Sequence, residues 1–210
     1  FRGWPAAPAP LRLERRAENE DGKRRIQEWE FTAQDSVRLP LRIFLPPDAS
    51  AVKRVVLIVA DERRWAGNIA DANVRDLNGG DTAWVFLAPR GIGPTSPAGN
   101  EKDLIQIRRR YMLLGQTLDG MRVWDIQRAA AALRASESFG ALPMELVGNG
   151  QQAINALYAS LFIDGLAGVE LIAPPATHMK GPDYLNVLRF LDVPQAAAMA
   201  AERQPVKFSG

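Results

Sequence analysis

The sequence predicts an α/β fold: a mixed, mostly parallel sheet with an N-terminal antiparallel hairpin and helices on both faces. Three observations carry that expectation. Short, nearly continuous apolar runs recur along the chain, helix-length stretches separate them, and a pair of alternating strands precedes them. The 210 residues suit one domain with a single core. At 47% hydrophobic and 24% charged residues the chain is too apolar for disorder, and no run approaches the ~18 apolar residues of a membrane span.

The elements follow in order. Residues 1–10 hold three prolines and Trp4, which forbid a helix. Residues 1–22 read as an extended linker or strap, and the compact domain as 23–210. Residues 26–32 and 38–45 alternate as an antiparallel hairpin about Gln34, Asp35 and Ser36, with Pro40 arguing for an edge strand or a bulge. The runs at 55–60, 83–88, 144–147 and 169–173 read as doubly buried parallel strands. Between them fit helices at about 118–135, with Ile126, Ala129, Ala130 and Leu133 on one stripe, and 151–162, with Ile154, Leu157 and Leu161. Right-handed crossovers connect such units. Residues 206–208 read as a strand just starting, so the C-terminal side of the sheet is expected to be incomplete; the opening without Met is read as a cut from a longer protein.

Composition removes several function classes. Lys plus Arg number 26 and Asp plus Glu 24, so the net charge of +2 argues against a dedicated nucleic-acid binder. The absence of cysteine excludes disulfides, thiolate metal sites and a cysteine nucleophile. With one histidine, only carboxylates remain for a metal, and neither Asp119 with Asp125 nor Asp71 with Asp76 has calcium-loop spacing, so no metal is expected. Gly91-Ile92-Gly93 is followed by Pro94 and lacks the lysine of a phosphate loop, so no nucleotide or other cofactor is expected either. Arg108, Arg109 and Arg110 with Tyr111 read as a solvated helix segment beside Glu101 and Asp103 rather than as an anion patch.

The segment from Met144 to Ser160, MELVGNGQQAINALYAS, carries the most information, because a short strand runs into a glycine turn and then a helix. That is the setting of the nucleophile elbow Gly-x-Ser-x-Gly. Here the five positions are Gly148, Asn149, Gly150, Gln151 and Gln152. The nucleophile position is Gly150, which offers neither hydroxyl nor thiol for an acyl-enzyme.

With this segment, four further blocks carry a resemblance: Phe1-Arg2-Gly3-Trp4-Pro5, Ala88-Pro89-Arg90-Gly91-Ile92-Gly93-Pro94-Thr95, RRRYMLLGQTLDGMRVWD ending at Asp125, and YLNVLRFLDVP ending at Pro194. Together they resemble the acetyl xylan esterase and dienelactone hydrolase branch of the α/β-hydrolases, and within it the degenerate C-terminal domains of larger, secreted esterase-like proteins. The resemblance implies a triad acid after the strand at 206–208 and a histidine later still, so neither falls within residues 1–210. It implies oxyanion-hole amides in the loop after residues 55–60, but that loop reads Asp61-Glu62-Arg63-Arg64-Trp65, whose two acids would repel an oxyanion. It also implies a periplasmic, cell-envelope or secreted location.

Other constellations are weaker. His178 follows a strand end and is a candidate general base near Asp164 or Asp183; the stronger reading is a loop histidine held by its neighbours, since no nucleophile pairs with it. Ser96, Thr95 and Ser160 are candidate hydroxyls with structural readings ahead of functional ones. Arg90 and Asp125 are expected to pair and brace the long helix. Trp84 and Trp124 are expected in the core, and Trp4 and Trp65 as exposed faces on which a sugar ring could stack. The expectation is a pseudo-esterase that works as a structural or interaction module of a larger protein or complex, with other domains or subunits as partners and carbohydrate as a weaker candidate. The alternative is a carboxylesterase of acetylated polysaccharide whose catalytic residues come from other segments.

Overall fold

The computed structural model describes residues 4–5, 8–21, 24–67 and 80–210. Among them, eight strands form one sheet in the order β1-β2-β3-β5-β4-β6-β7-β8. The hairpin expected at the start is β2 (Arg24–Gln34) against β3 (Val37–Leu45). The apolar runs become β4 (Arg54–Val59), β5 (Thr82–Leu87), β6 (Met144–Asn149) and β7 (Gly168–Ile172), all parallel, and β8 (Val206–Ser209) adds the last parallel strand.

Two expectations change. The sheet begins before residue 23, because β1 (Glu14–Asp21), assigned from sequence to the strap, pairs antiparallel with β2. Its sequence ERRAENED has no apolar alternation; what it brings is charge. Arg16 bridges Glu30 at 2.7 Å and Arg38 reaches Glu14 at 3.1 Å across the strands. Pro40 is neither at an edge nor at the bulge, which lies between Thr32 and Gln34. It sits just before the β3–β5 ladder, which begins at Leu41, so its missing N–H costs no bond to β5 while its carbonyl accepts from Ala88.

Side-chain alternation sorts the central strands between two faces. Val55, Leu57 and Val59 of β4 join Val85, Leu87 and Leu146 in the main core, and there they meet Ile126, Leu133, Ile154 and Leu157. Those four belong to α3 (Leu118–Arg134) and α4 (Gln151–Ser160), the two helices expected from periodicity. Val56 and Ile58 point the other way, to a smaller cluster with Phe44, Phe86 and Val147. Trp65 of the short α1 (Glu62–Ala66) packs on this second face. The solvated helix read at Arg108–Arg110 lies within α2 (Glu101–Leu113), which buries no residue; α1, read as a loop, and α5 (Val193–Ala201), which packs against α4 and β8, were not foreseen.

The predicted pair of Arg90 and Asp125 forms. Asp125 is fully buried on α3 and accepts Arg90 Nη2 at 2.6 Å, Nε at 2.9 Å and the Arg90 backbone N–H at 3.0 Å. Arg90 also reaches Gln34 at the end of β2 (3.3 Å), while its carbonyl accepts from Arg122 (3.1 Å). One guanidinium thus ties the loop after β5 to α3 and to the hairpin. Trp84 and Trp124 are half-buried, Trp124 donating to the Ala33 carbonyl at 2.8 Å.

Trp4 is not an exposed stacking surface. Its indole N–H donates to the Gly120 carbonyl at 2.8 Å, and its ring lies 5.6 Å from Trp124 and 5.1 Å from Phe162. Arg128 holds the Ala9 carbonyl, and Leu11 accepts from Thr32, so the N-terminal segment lies on its own domain. No helix among the described residues is long and apolar enough to cross a membrane. Removing one partner of a buried, multiply bonded ion pair leaves the other uncompensated. Asp125→Ala is therefore expected to lower the unfolding free energy by about 3–5 kcal/mol in urea titration, and the Arg90→Met/Asp125→Leu double variant by less.

Candidate functional site

The candidate site is the junction of β6 and α4. β6 ends at Asn149, Gly150 turns the chain with φ 56° and ψ −125°, and α4 starts at Gln151. Such a backbone is strained for any residue with a side chain, and it is the strand-to-helix turn that an elbow requires. A Cβ built on Gly150 would meet no heavy atom within 4 Å, so the direction a nucleophile would take is open. The Gly150 N–H donates to the Ile172 carbonyl at 2.9 Å, anchoring the turn to β7. Two residues earlier the strand and helix nearly touch. A Cβ on Gly148 would lie 2.5 Å from the Gln152 carbonyl oxygen and 2.6 Å from Ala153 Cα.

The five elbow positions therefore divide by role. Gly148 permits close approach and Gly150 supplies the turn, while Asn149 is half-buried at the end of the strand. Gln151 is exposed, its side chain lying along the backbone of Gly181. Gln152 is buried, and its Oε1 accepts from Asn155 Nδ2 at 2.9 Å.

Behind the elbow lies a polar network that the sequence did not reveal. Asp119, weighed above only as a metal ligand, is a buried hub: its Oδ1 accepts from Asn155 (3.1 Å) and Arg122 (3.1 Å), and its Oδ2 from the Asp183 backbone N–H (3.0 Å). Tyr184 in turn donates to Asn155 Oδ1. Burial, then the nearby Asp119 charge, push the Tyr184 hydroxyl well above its ordinary range. The network fastens the start of α3, the middle of α4 and the 183–184 segment together. The available signal was Asn155, an amide on the buried stripe of an apolar helix. No three His, Asp or Glu side chains among the described residues converge as a metal site, and Asp71 and Asp76 lie outside the described residues.

His178 is brought to neither Asp164 nor a nucleophile. Asp164 is exposed and paired with Arg203 (2.6 Å), and Asp183 pairs with Arg108 (2.5 Å). The His178 ring is instead buried, its Nε2 2.8 Å from the Tyr158 hydroxyl and its face near Tyr184, with its backbone N–H on Asp192. Tyr158 lies eight residues along α4 from Gly150, a rise of about 12 Å. Burial holds the imidazole below its ordinary value, against the raising pull of the Pro182 carbonyl and Asp192, and pushes the Tyr158 hydroxyl up.

The remaining candidates are engaged elsewhere. Asp61 caps α1 through the Arg64 N–H (2.7 Å), Glu62 accepts from the Gly93 N–H (3.0 Å), and Trp65 lies under the Arg42 guanidinium at 4.6 Å. Trp65 is thus half-buried rather than presented to solvent. Thr95 Oγ1 closes its own turn with Gly91 and Ile92, Ser160 Oγ donates to the Leu157 carbonyl, and Ser96 is exposed.

No known family profile matches the sequence, and no curated protein matches it. Solved structures match its shape. A protein assigned as an acetyl xylan esterase, from Bacteroides fragilis, aligns with a TM-score of 0.70 at 12% identity, over 96% of this chain and 63% of that one. A glucuronoyl esterase from Solibacter usitatus aligns at 0.63 and 18% identity, over 97% and 69%. An acetyl xylan esterase from Thermoanaerobacterium gives 0.63 and 12%, over 93% and 68%. The chain spans about two thirds of the length of these structures, and at such identities the likeness establishes the fold.

Two outcomes follow from the site geometry. Gly148→Ala must part β6 from α4 and is expected to cost about 1–3 kcal/mol by urea titration. Because the buried His178 resists protonation, the unfolded chain binds a proton below about pH 6.5 that the folded chain refuses. Stability is therefore expected to be full above pH 6.5 and to fall below it by up to about 1.4 kcal/mol per pH unit, until the lower folded-state value is reached. Unfolding titrations between pH 8 and 5 should show that slope, and His178→Gln, in a chain with one histidine, should remove it.

Proposed function

We propose that this chain, whose fold is that of the α/β-hydrolases, is a pseudo-esterase domain: it conducts no acyl transfer at its elbow and serves as a structural or protein-interaction module of a larger protein or complex. The observation that carries the reading is Gly150, a residue without a nucleophile in the turn where an esterase of this fold places one. Two further observations support it. The acids after β4 are committed to the cap of α1 and to the Gly93 N–H, and the one histidine is committed to Tyr158. A periplasmic, envelope or secreted location belongs to the same proposal.

A second reading is favoured by one finding, the likeness to acetyl xylan and glucuronoyl esterases. In it the protein is a carboxylesterase of acetylated polysaccharide whose nucleophile, acid and histidine lie outside residues 1–210. One experiment on this chain tests the first reading. A fluorophosphonate probe with peptide mass mapping is expected to label no serine of this chain, and any slow hydrolysis of p-nitrophenyl acetate should be unchanged in Gly150→Gln. Labelling at a serine, or hydrolysis abolished by Gly150→Gln, would overturn the first reading.

A further inference from the structure

The N-terminal segment and α3 are matched along their lengths. Gly120, Trp124 and Arg128 stand four residues apart, so they form one stripe of the helix over a rise of about 12 Å. Trp4 gives its indole N–H to the Gly120 carbonyl, and its ring meets Trp124 and Phe162, the latter 49% exposed just beyond α4. Five residues on, the Ala9 carbonyl accepts from Arg128, whose guanidinium also lies 5.9 Å from the Trp124 ring. The segment therefore runs parallel to α3, and the acceptor, ring and donor of the stripe each meet a complement in turn.

The stripe is built to hold a backbone. Arg128 is buried with no acid beside it among the described residues, and its hydrogen bonds go to the carbonyls of Ala9 and Thr32. When the segment leaves, this buried cation loses one of those acceptors, so the site keeps a standing demand for it. The segment suits that demand as a ligand. Pro5, Pro8 and Pro10 supply no N–H for a sheet ladder and favour the extended polyproline form that aromatic-lined grooves take up at little ordering cost. None of the described residues from Trp4 to Leu11 is fully buried. The segment joins β1 through Arg12, an exposed non-glycine residue at φ 43°, so folding back onto its own domain stores strain at one joint.

We propose that this stripe is a receptor site for the Trp-Pro segment of a second copy of the chain, and that in the isolated molecule the chain's own Trp4 and Ala9 fill it as an exchangeable occupant. A second copy carries the matching indole, prolines and carbonyl by identity, and two-fold exchange of an identical element repeats every contact on both sides. Exchange also releases the strain at Arg12, because a segment leading away to a partner has no need of the left-handed turn. The inference goes beyond the pseudo-esterase reading and does not depend on it.

The probe is a fluorescein-labelled peptide of residues 1–13, read by anisotropy against the full chain. In the native chain the tethered segment competes at an effective concentration on the order of 1 mM. The Trp4→Ala chain, whose own segment has lost its anchor, is therefore expected to bind the peptide at least about tenfold more tightly than the native chain does. On that chain a peptide carrying Trp4→Ala is expected to bind at least about tenfold more weakly, and adding Phe162→Ser to the chain to weaken the original peptide as much with circular dichroism unchanged. Sedimentation equilibrium of the native chain is expected to show a dimer as its concentration approaches about 1 mM, and Arg12→Gly, which relieves the joint in the folded-back form, to return it towards monomer. No binding to the Trp4→Ala chain, equal binding of the two peptides, or a native chain that stays monomeric throughout would overturn the proposal. Each of those outcomes leaves fluorophosphonate silence intact, whereas serine labelling removes the pseudo-esterase reading without altering peptide affinity, so the two are judged separately.

Discussion

The close approach of β6 to α4 governs this molecule. At Gly148 the strand lies so near the backbone of Gln152 and Ala153 that no side chain fits between them. The chain must then reverse within one residue, which only the left-handed turn at Gly150 allows. Once the helix is seated this tightly, every residue of α4 from Gln152 to Ser160 is buried. The apolar ones complete the core, and the polar ones need internal partners. Asn155 and Gln152 find them in each other and Asp119, and Tyr158 finds His178. A packing constraint at the end of a strand thereby dictates the polar network beside it, and the network fixes the 183–184 segment.

The same reasoning separates architecture from chemistry. A nucleophile elbow needs a backbone and a side chain, and this chain retains the backbone. Its anchor to β7, the open direction at Gly150 and the helix behind it are features of fold packing, and a fold does not by itself specify a chemistry. The Arg90–Asp125 clasp belongs to that same scaffold, joining the loop after β5 to α3 and the hairpin.

What was legible in the sequence follows from where the information is local. Strands β4 and β5 are buried on both faces and announce themselves as continuous apolar runs, whereas β7, expected to be doubly buried as well, buries only Val169 and Leu171 and turns Glu170 to Lys207 on its other face; α3 and α4 carry apolar stripes; the elbow is a contiguous strand-glycine-helix pattern. The Arg90–Asp125 pair was readable because both charges stand in otherwise apolar blocks. β1 was not, because an edge strand stabilised by cross-strand charge has no hydrophobic period, and α2 was readable only as a charged, solvated helical stretch without bounds, because it buries no face. The burial of Trp4 and Trp65 depends on α3 and on Arg42, far away in sequence. His178 was read against carboxylates when its partner was a tyrosine on the neighbouring helix, and the hub at Asp119 joins residues 36 and 64 positions apart that no local pattern connects.

The account stands on the elbow backbone being held in its turned conformation although no nucleophile occupies it. Gly150→Ala tests this directly, because the added methyl meets empty space and any cost must come from the backbone. Equilibrium unfolding in urea should show a loss of about 1–3 kcal/mol with an unchanged dependence on denaturant. Stability equal to or above that of the native chain would mean that the turn relaxes freely, and would contradict the account.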